Sequence, residues 1–269
     1  MINIHIEMSS MKKWVLITGA SSGIGKALAF EFAKNGFNLF LTARNENALT
    51  EVSEACQRKF NIESEVFPAD LADAGSTDDL VKEISGRKFD VLVNNAGFGI
   101  KGDFVETNIH DELKMLHVQL IALLRLTKAV LPKMVESKRG NILSVASVYS
   151  FAPAPMQSVY SASKAFILHF SSALQNEVKN ANVQISVVCP GITQTEFRTR
   201  AGIADKKASG MTAEKVAETS FLQMMKGRHI IIPGFQNKFF VFMAKYIPSE
   251  LFTSVVRWIN NRRGVNQRS

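Results

Sequence analysis

A glycine-rich turn between an apolar strand and a helix constrains this chain more than any other feature. The apolar run at residues 14–17 is typical of a buried parallel strand, and residues 18–25 that follow it read TGASSGIG. A helical pattern then continues to Lys34. Glycine is needed where side chains would block close approach, and backbone N–H groups at a helix N-terminus favour anions. This order of strand, turn and helix therefore predicts a site for the pyrophosphate of a dinucleotide.

Strand and helix patterns continue to alternate along the 269 residues. Such alternation predicts parallel strands joined by crossover helices. We therefore expect an α/β fold, a single-domain doubly wound (Rossmann-type) parallel sheet of about seven strands with helices on both faces. The predicted strands are 13–18, 37–42, 64–69, 89–94, 140–147, 183–189 and 229–232, and the predicted helices are 23–35, 45–60, 76–86, 107–137, 157–180 and 212–226. Pro132 is expected to kink or end the second half of the long 107–137 stretch.

Residues with chemical or conformational potential fall where these strands end. They are Gly19, Arg44, Asp70, Asn95, Ser147 and Pro190, after the first six strands in turn. Ligands of a doubly wound sheet bind beyond the carboxyl ends of its strands. The placement therefore predicts a single cleft that gathers all six positions.

The same motifs, in the same order, resemble those of the short-chain dehydrogenase/reductase family. That family carries Thr-Gly-x-x-x-Gly-x-Gly, then Asn-Asn-Ala-Gly, then Ser, then Tyr-x-x-x-Lys, then Pro-Gly. The corresponding residues here are Thr18 to Gly25, Asn94 to Gly97, Ser147, Tyr160 with Lys164, and Pro190-Gly191. The resemblance covers about residues 12–232. It implies an oxidoreductase that interconverts a carbonyl and an alcohol with a nicotinamide cofactor.

Tyr160 and Lys164 predict a site of proton delivery. Hydride transfer to a carbonyl builds negative charge on oxygen, and a tyrosine with a pKa near ~10 exchanges its proton poorly at neutral pH. Lys164 lies one helical turn away on the same face, where its cation should lower the pKa of Tyr160. Ser147 is expected to donate to the substrate oxygen. The alternatives are a half-buried aromatic at 160 and a surface ion-pair partner at 164. The resemblance adds that Lys164 grips the nicotinamide ribose.

One position departs from the family pattern. Members usually carry an asparagine in the helix after strand four, and Gln119 occupies that position here. The resemblance implies that this amide holds a water that relays protons to the lysine. Glutamine keeps the amide but adds a methylene, so the relay is expected to shift or to use other groups. Gln119 therefore joins Ser147, Tyr160 and Lys164 as a candidate catalytic residue.

The end of strand two predicts the type of cofactor. NAD-dependent enzymes usually place an acid there to accept from the ribose hydroxyls, whereas this chain has Arg44, whose guanidinium can pair with a 2′-phosphate. The alternative is a solvated surface arginine. Asp70 resembles the family's adenine contact and is equally suited to cap a turn. The predicted NADP(H)-binding residues are Gly19, Ser21, Ser22, Gly23, Ile24, Gly25, Arg44, Asp70, Leu71, Asn95, Tyr160, Lys164, Thr193 and Thr195.

Composition limits the location and the partners of the chain. Two distant cysteines argue against a disulfide framework and favour a reducing cytoplasm, and the five histidines show no pairing typical of a metal site. Residues 1–11 are expected to be a flexible extension outside the fold, and residues 12–235 to form the catalytic domain. Residues 226–269 hold eight basic residues and one acid, so they carry +7 of the net charge of +8.

Residues 236–269 are expected to form basic amphipathic helices that belong to the same domain. Phe239, Phe242, Met243 and Tyr246 share one helical stripe, and Phe252, Val255, Val256 and Ile259 share another. The stripes could cap the protein's own core, close a homodimer or homotetramer, or contact an anionic membrane peripherally. Nucleic-acid binding is not expected, because the basic residues join no recognised motif.

Apolar residues near the predicted site favour a small apolar ketone, aldehyde or alcohol as substrate. They are Phe98, Val148, Tyr149, Phe151, Met156 and Phe197. The segment 196–211, with two glycines and several charges, is expected to form a mobile lid. The sequence does not select one substrate, because fold alone does not determine it.

Overall fold

The computed structural model describes residues 12–195 and 210–262, with the backbone alone at 261 and 262. Seven strands form one parallel sheet, as the alternation predicts. They are β1 (Trp14–Thr18), β2 (Asn38–Thr42), β3 (Ser64–Val66), β4 (Val91–Asn94), β5 (Gly140–Val145), β6 (Val183–Val188) and β9 (Ile230–Ile231). Their order is β3-β2-β1-β4-β5-β6-β9, so the strand order reverses between β1 and β4. Ligands of such sheets bind at that reversal.

Helices cover the sheet and lie close to the predicted ranges. They are α1 (Gly23–Lys34), α2 (Glu46–Phe60), α3 (Ala74–Ile84), α4 (Ile109–Leu116), α5 (Ala122–Glu136), α6 (Ser158–Glu177), α7 (Ala213–Met225), α8 (Phe235–Tyr246) and α9 (Ser249–Arg262). A single π-helical turn, His117–Ile121, joins α4 to α5 without a break. The expectation for Pro132 is wrong in one respect, because α5 continues past it to Glu136.

The central strands are buried on both faces, which explains their unbroken apolar sequence. One core cluster packs α1 and α7 on one face, and a second packs α3 and α5 on the other. The helical stretch Ile109–Glu136 is long and apolar enough to cross a membrane by composition. It contributes Leu126, Val130 and Met134 to the second core cluster, as a core helix of a doubly wound sheet does.

Two local features were not predicted. The short strands β7 (Thr193–Gln194) and β8 (Met211–Thr212) pair in parallel beside the main sheet. A 3₁₀ turn, Val148–Phe151, follows β5, and Ser147 caps its N-terminus. Of the predicted lid, residues 196–209 lie outside the described residues, and so does Phe197.

Candidate active site

The glycine turn after β1 is closely packed against the end of β4. Gly19 has φ +66°, and a Cβ there would lie 2.9 Å from the Cα of Ala96. Gly25 is tighter still, since a Cβ would lie 2.2 Å from the Gly19 oxygen. Gly25 therefore allows α1 to pack on the turn, and it does not line the cleft. The prediction that Gly25 faces the cofactor is thus replaced by a packing role.

Asn95 holds the turn in place. Its amide nitrogen donates to the oxygens of Thr18, at 2.8 Å, and Gly19, at 3.2 Å. The Thr18 hydroxyl in turn accepts from the backbone nitrogens of Asn95 and Ala96, both at 3.0 Å. This network between β1 and β4 fixes the turn geometry. Asn95 also lines the cleft, so its support of the turn is compatible with the predicted cofactor contact.

The N-terminus of α1 is open toward the cleft and suits a phosphate. Ser22 occupies the capping position without a side-chain hydrogen bond, and no acid lies in the first turn. The free N–H groups and the helix dipole there favour an anion. At Gly23, with φ +55°, a Cβ would lie 3.2 Å from the Thr195 side chain. The residues present therefore fit a bound dinucleotide pyrophosphate.

A cleft of about 1050 Å³ runs along the carboxyl ends of the strands and joins the glycine turn to Ser147, Tyr160 and Lys164. The predicted cofactor residues that line it are Gly19, Ser21, Ser22, Gly23, Ile24, Arg44, Asp70, Leu71, Asn95, Tyr160, Lys164, Thr193 and Thr195. The structure thus brings all of them together apart from Gly25. A single cleft, as expected from the strand ends, connects the glycine turn with the predicted proton donors.

Arg44 and Asp70 lie at the nucleotide end of this cleft. Arg44 is exposed and makes no hydrogen bond or ion pair with any residue in the described ranges 12–195 and 210–262. Asp70 accepts from the Ala72 nitrogen at 3.0 Å, which is the turn cap that the sequence allowed. Its carboxylate also lines the cleft, so the adenine contact stays a prediction.

Ser147 and Tyr160, the residues predicted to donate to the substrate oxygen, lie side by side in the structure. The Ser147 hydroxyl accepts from the Tyr149 nitrogen at 3.2 Å, because Ser147 caps the 3₁₀ turn after β5. Its side chain also hydrogen-bonds the Tyr160 phenol, and both residues are buried. Burial raises the pKa of Tyr160, and the Ser147 hydrogen bond only partly opposes it. The phenol is therefore a neutral donor at physiological pH.

Lys164 lies one turn further along α6, and its environment differs from the expectation. Its Nζ donates to the Val145 oxygen at 3.0 Å and lies 5.5 Å from the centre of the Tyr160 ring. Burial lowers the pKa of Lys164 to about 7. The prediction that Lys164 lowers the pKa of Tyr160 is therefore wrong for this structure, where burial raises that pKa. Desolvation favours the neutral form of both groups more than their proximity favours the charged forms.

Gln119 is part of the scaffold beneath the site. It is buried in the π-helical turn, where its Nε2 donates to the Phe98 oxygen at 2.6 Å and its Oε1 accepts from the Ser163 hydroxyl at 3.1 Å. Ser163 lies beside Lys164 on α6, and its hydroxyl also donates to the backbone carbonyl oxygen of Tyr160 at 2.7 Å. The Gln119 amide does not line the main cleft. Its bond to Ser163 therefore indicates that Gln119 positions α6.

The two C-terminal helices complete the substrate end of the cleft, which the sequence did not predict. Phe240 of α8 and Val256, Ile259 and Asn260 of α9 line the cleft. Phe98, Val148 and Tyr149 line it as predicted, whereas Phe151 and Met156 do not. The Phe240 ring packs edge-on against Tyr149, with 6.1 Å between centroids. Helical periodicity alone could not identify this contact, because it does not say which element a stripe meets.

Asn260 fastens α9 to the rim of the cleft. It is buried, its Nδ2 donates to the Pro155 oxygen at 2.9 Å, and its Oδ1 accepts from the Tyr149 hydroxyl at 3.3 Å. The Lys101 ammonium donates to its backbone oxygen at 2.9 Å. These contacts tie three separate rim segments to one residue. Tyr149 lies two residues after Ser147, so its hydrogen bond to Asn260 connects α9 to the segment that carries Ser147.

Comparisons with known proteins agree with this geometry. The family model of the short chain dehydrogenases matches residues 13–206. The very-long-chain 3-oxoacyl-CoA reductase-B of Danio rerio is 35% identical over 193 residues, which covers 70% of this chain and 62% of that protein, so the match spans less than two thirds of its length. The NADP-dependent 3-hydroxy acid dehydrogenase of Schizosaccharomyces pombe is 32% identical over 234 residues, covering 82% of this chain and 90% of that protein. A short-chain dehydrogenase from Sphingobium yanoikuyae in complex with NADPH superposes with a TM-score of 0.80 and 28% identity, covering 96% of this chain and 98% of that one.

The fold and the site define a nicotinamide-dependent oxidoreductase with a doubly wound sheet. The chain belongs to the short-chain dehydrogenase/reductase family, whose members bind NAD(P)(H) and act on CH–OH groups or the corresponding carbonyls.

Proposed function

We propose that this chain is an NADP(H)-dependent oxidoreductase that interconverts an apolar ketone or aldehyde and its alcohol. The observation that carries the proposal is the continuous cleft, which joins an open helix N-terminus and Arg44 to the pair Ser147 and Tyr160. Arg44 supports NADP(H) over NAD(H), because a guanidinium with no described partner can meet a 2′-phosphate. The residues that would hold the cofactor are those of the glycine turn, Arg44, Lys164 and Thr193.

A nicotinamide cofactor, when bound in this cleft, would supply the hydride in the reductive direction. Ser147 orients the substrate oxygen, and Tyr160 donates its phenolic proton to that oxygen as the new alcohol forms. The Ser147 hydrogen bond stabilises the phenolate that remains, and the fraction of Lys164 that is protonated near pH 7 adds to this, since its Nζ lies 5.5 Å from the centre of the ring. A proton from solvent then restores the phenol. In the oxidative direction Tyr160 acts as the general base.

The residues that line the substrate end of the cleft favour an apolar substrate. Phe98, Val148, Phe240, Val256 and Ile259 provide apolar surface there, with Tyr149 and Asn260 as polar groups. The names of the Danio rerio and Schizosaccharomyces pombe relatives point to 3-oxoacyl thioesters and 3-hydroxy acids as the first compounds to try.

The test is consumption of NADPH and of NADH, followed by absorbance, with apolar ketones, aldehydes and 3-oxoacyl thioesters. We expect turnover with NADPH and much weaker turnover with NADH. The competing function is a non-catalytic NADP(H) sensor or scaffold. Gln119 favours it, because this residue stands where the family usually has asparagine and both ends of its amide are hydrogen-bonded to protein groups. Tight NADPH binding without turnover on any compound would support that alternative.

The partners and location follow as proposals of the same kind. A homodimer or homotetramer is supported by an exposed apolar row on the α4–α5 helix, formed by Ile109, Leu113 and Ile121. We place the enzyme in the cytoplasm, with peripheral membrane contact through its C-terminal segment. Light scattering of the purified chain measures the oligomeric state.

A further inference from the structure

The C-terminal helices α8 and α9 have apolar residues on two opposite sides. Toward the protein, Phe240, Phe252 and Val256 pack with Tyr149 and Ala154. Of these three, Phe240 and Val256 also line the cleft. Amphipathic helices of a soluble protein normally need only this inner stripe. The second apolar side therefore calls for a separate explanation.

The outer apolar residues follow helical spacing. On α8 they are Phe235, Phe239, Phe242 and Tyr246, between 52% and 82% exposed. On α9 they are Leu251, Val255 and Trp258, between 52% and 63% exposed. We call these seven residues the outer face. It contains five aromatic side chains, a type that is enriched where a protein meets a membrane interface.

Charge around the outer face is strongly positive. Lys238, Lys245 and Arg257 are exposed on the same two helices, and Glu250 is the one acid in residues 226–269. Most of the net charge of the whole chain lies in this segment. An apolar surface flanked by cations matches the interface of an anionic lipid bilayer, where acyl chains lie beneath negative headgroups.

We infer that the outer face docks the enzyme on an anionic membrane surface. A second copy fits it less well, because a two-fold interface would bring together the three cations Lys238, Lys245 and Arg257 of each copy, with one acid from each copy, Glu250, to offset them. The exposed apolar row on the α4–α5 helix, formed by Ile109, Leu113 and Ile121, remains available for assembly of two copies. Nucleic acid would match the cations but not seven exposed apolar side chains.

Docking also has a consequence for the substrate, and this part rests on the proposed function. The inner residues Phe240 and Val256 line the cleft, and the outer face belongs to the same two helices. The cleft is thereby held at the lipid surface, where a membrane-dissolved ketone or acyl compound is concentrated. The substrate class that this geometry favours is a carbonyl compound with a long apolar chain.

Sedimentation of the full chain with lipid vesicles tests the docking. Vesicles of phosphatidylcholine alone are compared with vesicles in which about a third of the lipid is phosphatidylglycerol. We expect at least about tenfold stronger binding to the anionic vesicles, and release when salt is raised to roughly 0.5 M. The double variants Lys238→Glu/Arg257→Glu and Leu251→Ser/Trp258→Ser should each lose about tenfold or more of that binding.

Two matched pairs control for net charge and for loss of exposed apolar surface. They are Lys59→Glu/Lys82→Glu on α2 and α3, and Leu222→Ser/Met225→Ser on α7, all at exposed positions. Equal loss in the control pairs, or equal binding to both kinds of vesicle, overturns the inference. So does a dimer that Leu251→Ser/Trp258→Ser dissociates, since a second copy would then occupy the face. Sedimentation requires no turnover, so an inactive protein that still binds vesicles would reject the proposed function and keep the docking.

Discussion

At the scale of single residues, burial decides the chemistry of this site. Tyr160 and Lys164 are both almost fully buried, and each is shifted toward its neutral form. A neutral phenol is the species that donates a proton in carbonyl reduction. The sequence identified both residues because their spacing is local. It gave the wrong direction for the Tyr160 pKa because burial is a property of the packed structure.

Arg44 makes the cofactor preference testable. Replacing it with Asp puts a negative charge where the 2′-phosphate of NADPH would lie. We expect the NADPH Kd to rise by about 10- to 100-fold, with NADH binding unchanged or tighter. Titration by fluorescence measures both values, and Arg58→Asp on α2 serves as the control. Equal affinity of the wild-type chain for NADH and NADPH would mean that Arg44 does not select the phosphate.

Gln119 connects the π-helical turn to Phe98 and Ser163. Replacing it with Leu removes both hydrogen bonds, so we expect the free energy of unfolding to fall by about 1–3 kcal/mol and turnover to drop. Gln119→Asn shortens the side chain and should retain or modestly raise activity. Steady-state rates and urea unfolding of the three proteins measure these effects. Identical rates in all three would exclude Gln119 from a role in the reaction.

At the scale of secondary-structure elements, the seven parallel strands were predictable because buried parallel strands read as continuous apolar runs. The C-terminal helices were predictable as helices but not in their placement. The sequence put Phe239, Phe242, Met243 and Tyr246 on one stripe of α8 and left open what that stripe meets. The structure turns Phe240 toward the protein and leaves Phe239, Phe242 and Tyr246 exposed. When a helix has apolar residues on two sides, the periodicity of the sequence does not show which side packs against the protein.

Asn260 tests whether α9 shapes the substrate end of the cleft. Asn260→Ala removes the bonds to Pro155 and Tyr149, which should loosen the rim beside Ser147. We expect the KM for an apolar substrate to rise about tenfold while the NADPH Kd stays the same, because the nucleotide end of the cleft is built by other elements. Asn176→Ala, at an exposed position on α6, is the control. A change in NADPH affinity with KM unaltered would contradict this role.

At the scale of the whole molecule, buried Lys164 couples folding to pH. Its pKa is about 7 in the folded state and about 10.4 in the unfolded chain, so the unfolded chain binds more protons between these values. Stability should therefore rise with pH, by about 1–2 kcal/mol from pH 7 to 8.5. Above that range the buried thiols of Cys56 and Cys189, whose pKa values are raised, act in the opposite direction. Urea unfolding should show this slope in the wild type and lose it in Lys164→Met, and a slope retained in the variant would assign it to other groups.

The central claim is that Tyr160 donates the proton within a cleft that binds NADPH. Its most direct test is Tyr160→Phe, which removes one oxygen from a buried ring and leaves the glycine turn and Arg44 untouched. With a ketone that the wild type reduces, we expect turnover to fall by roughly 10²–10⁴, while NADPH binds with its wild-type Kd. Unchanged turnover in Tyr160→Phe would contradict the account.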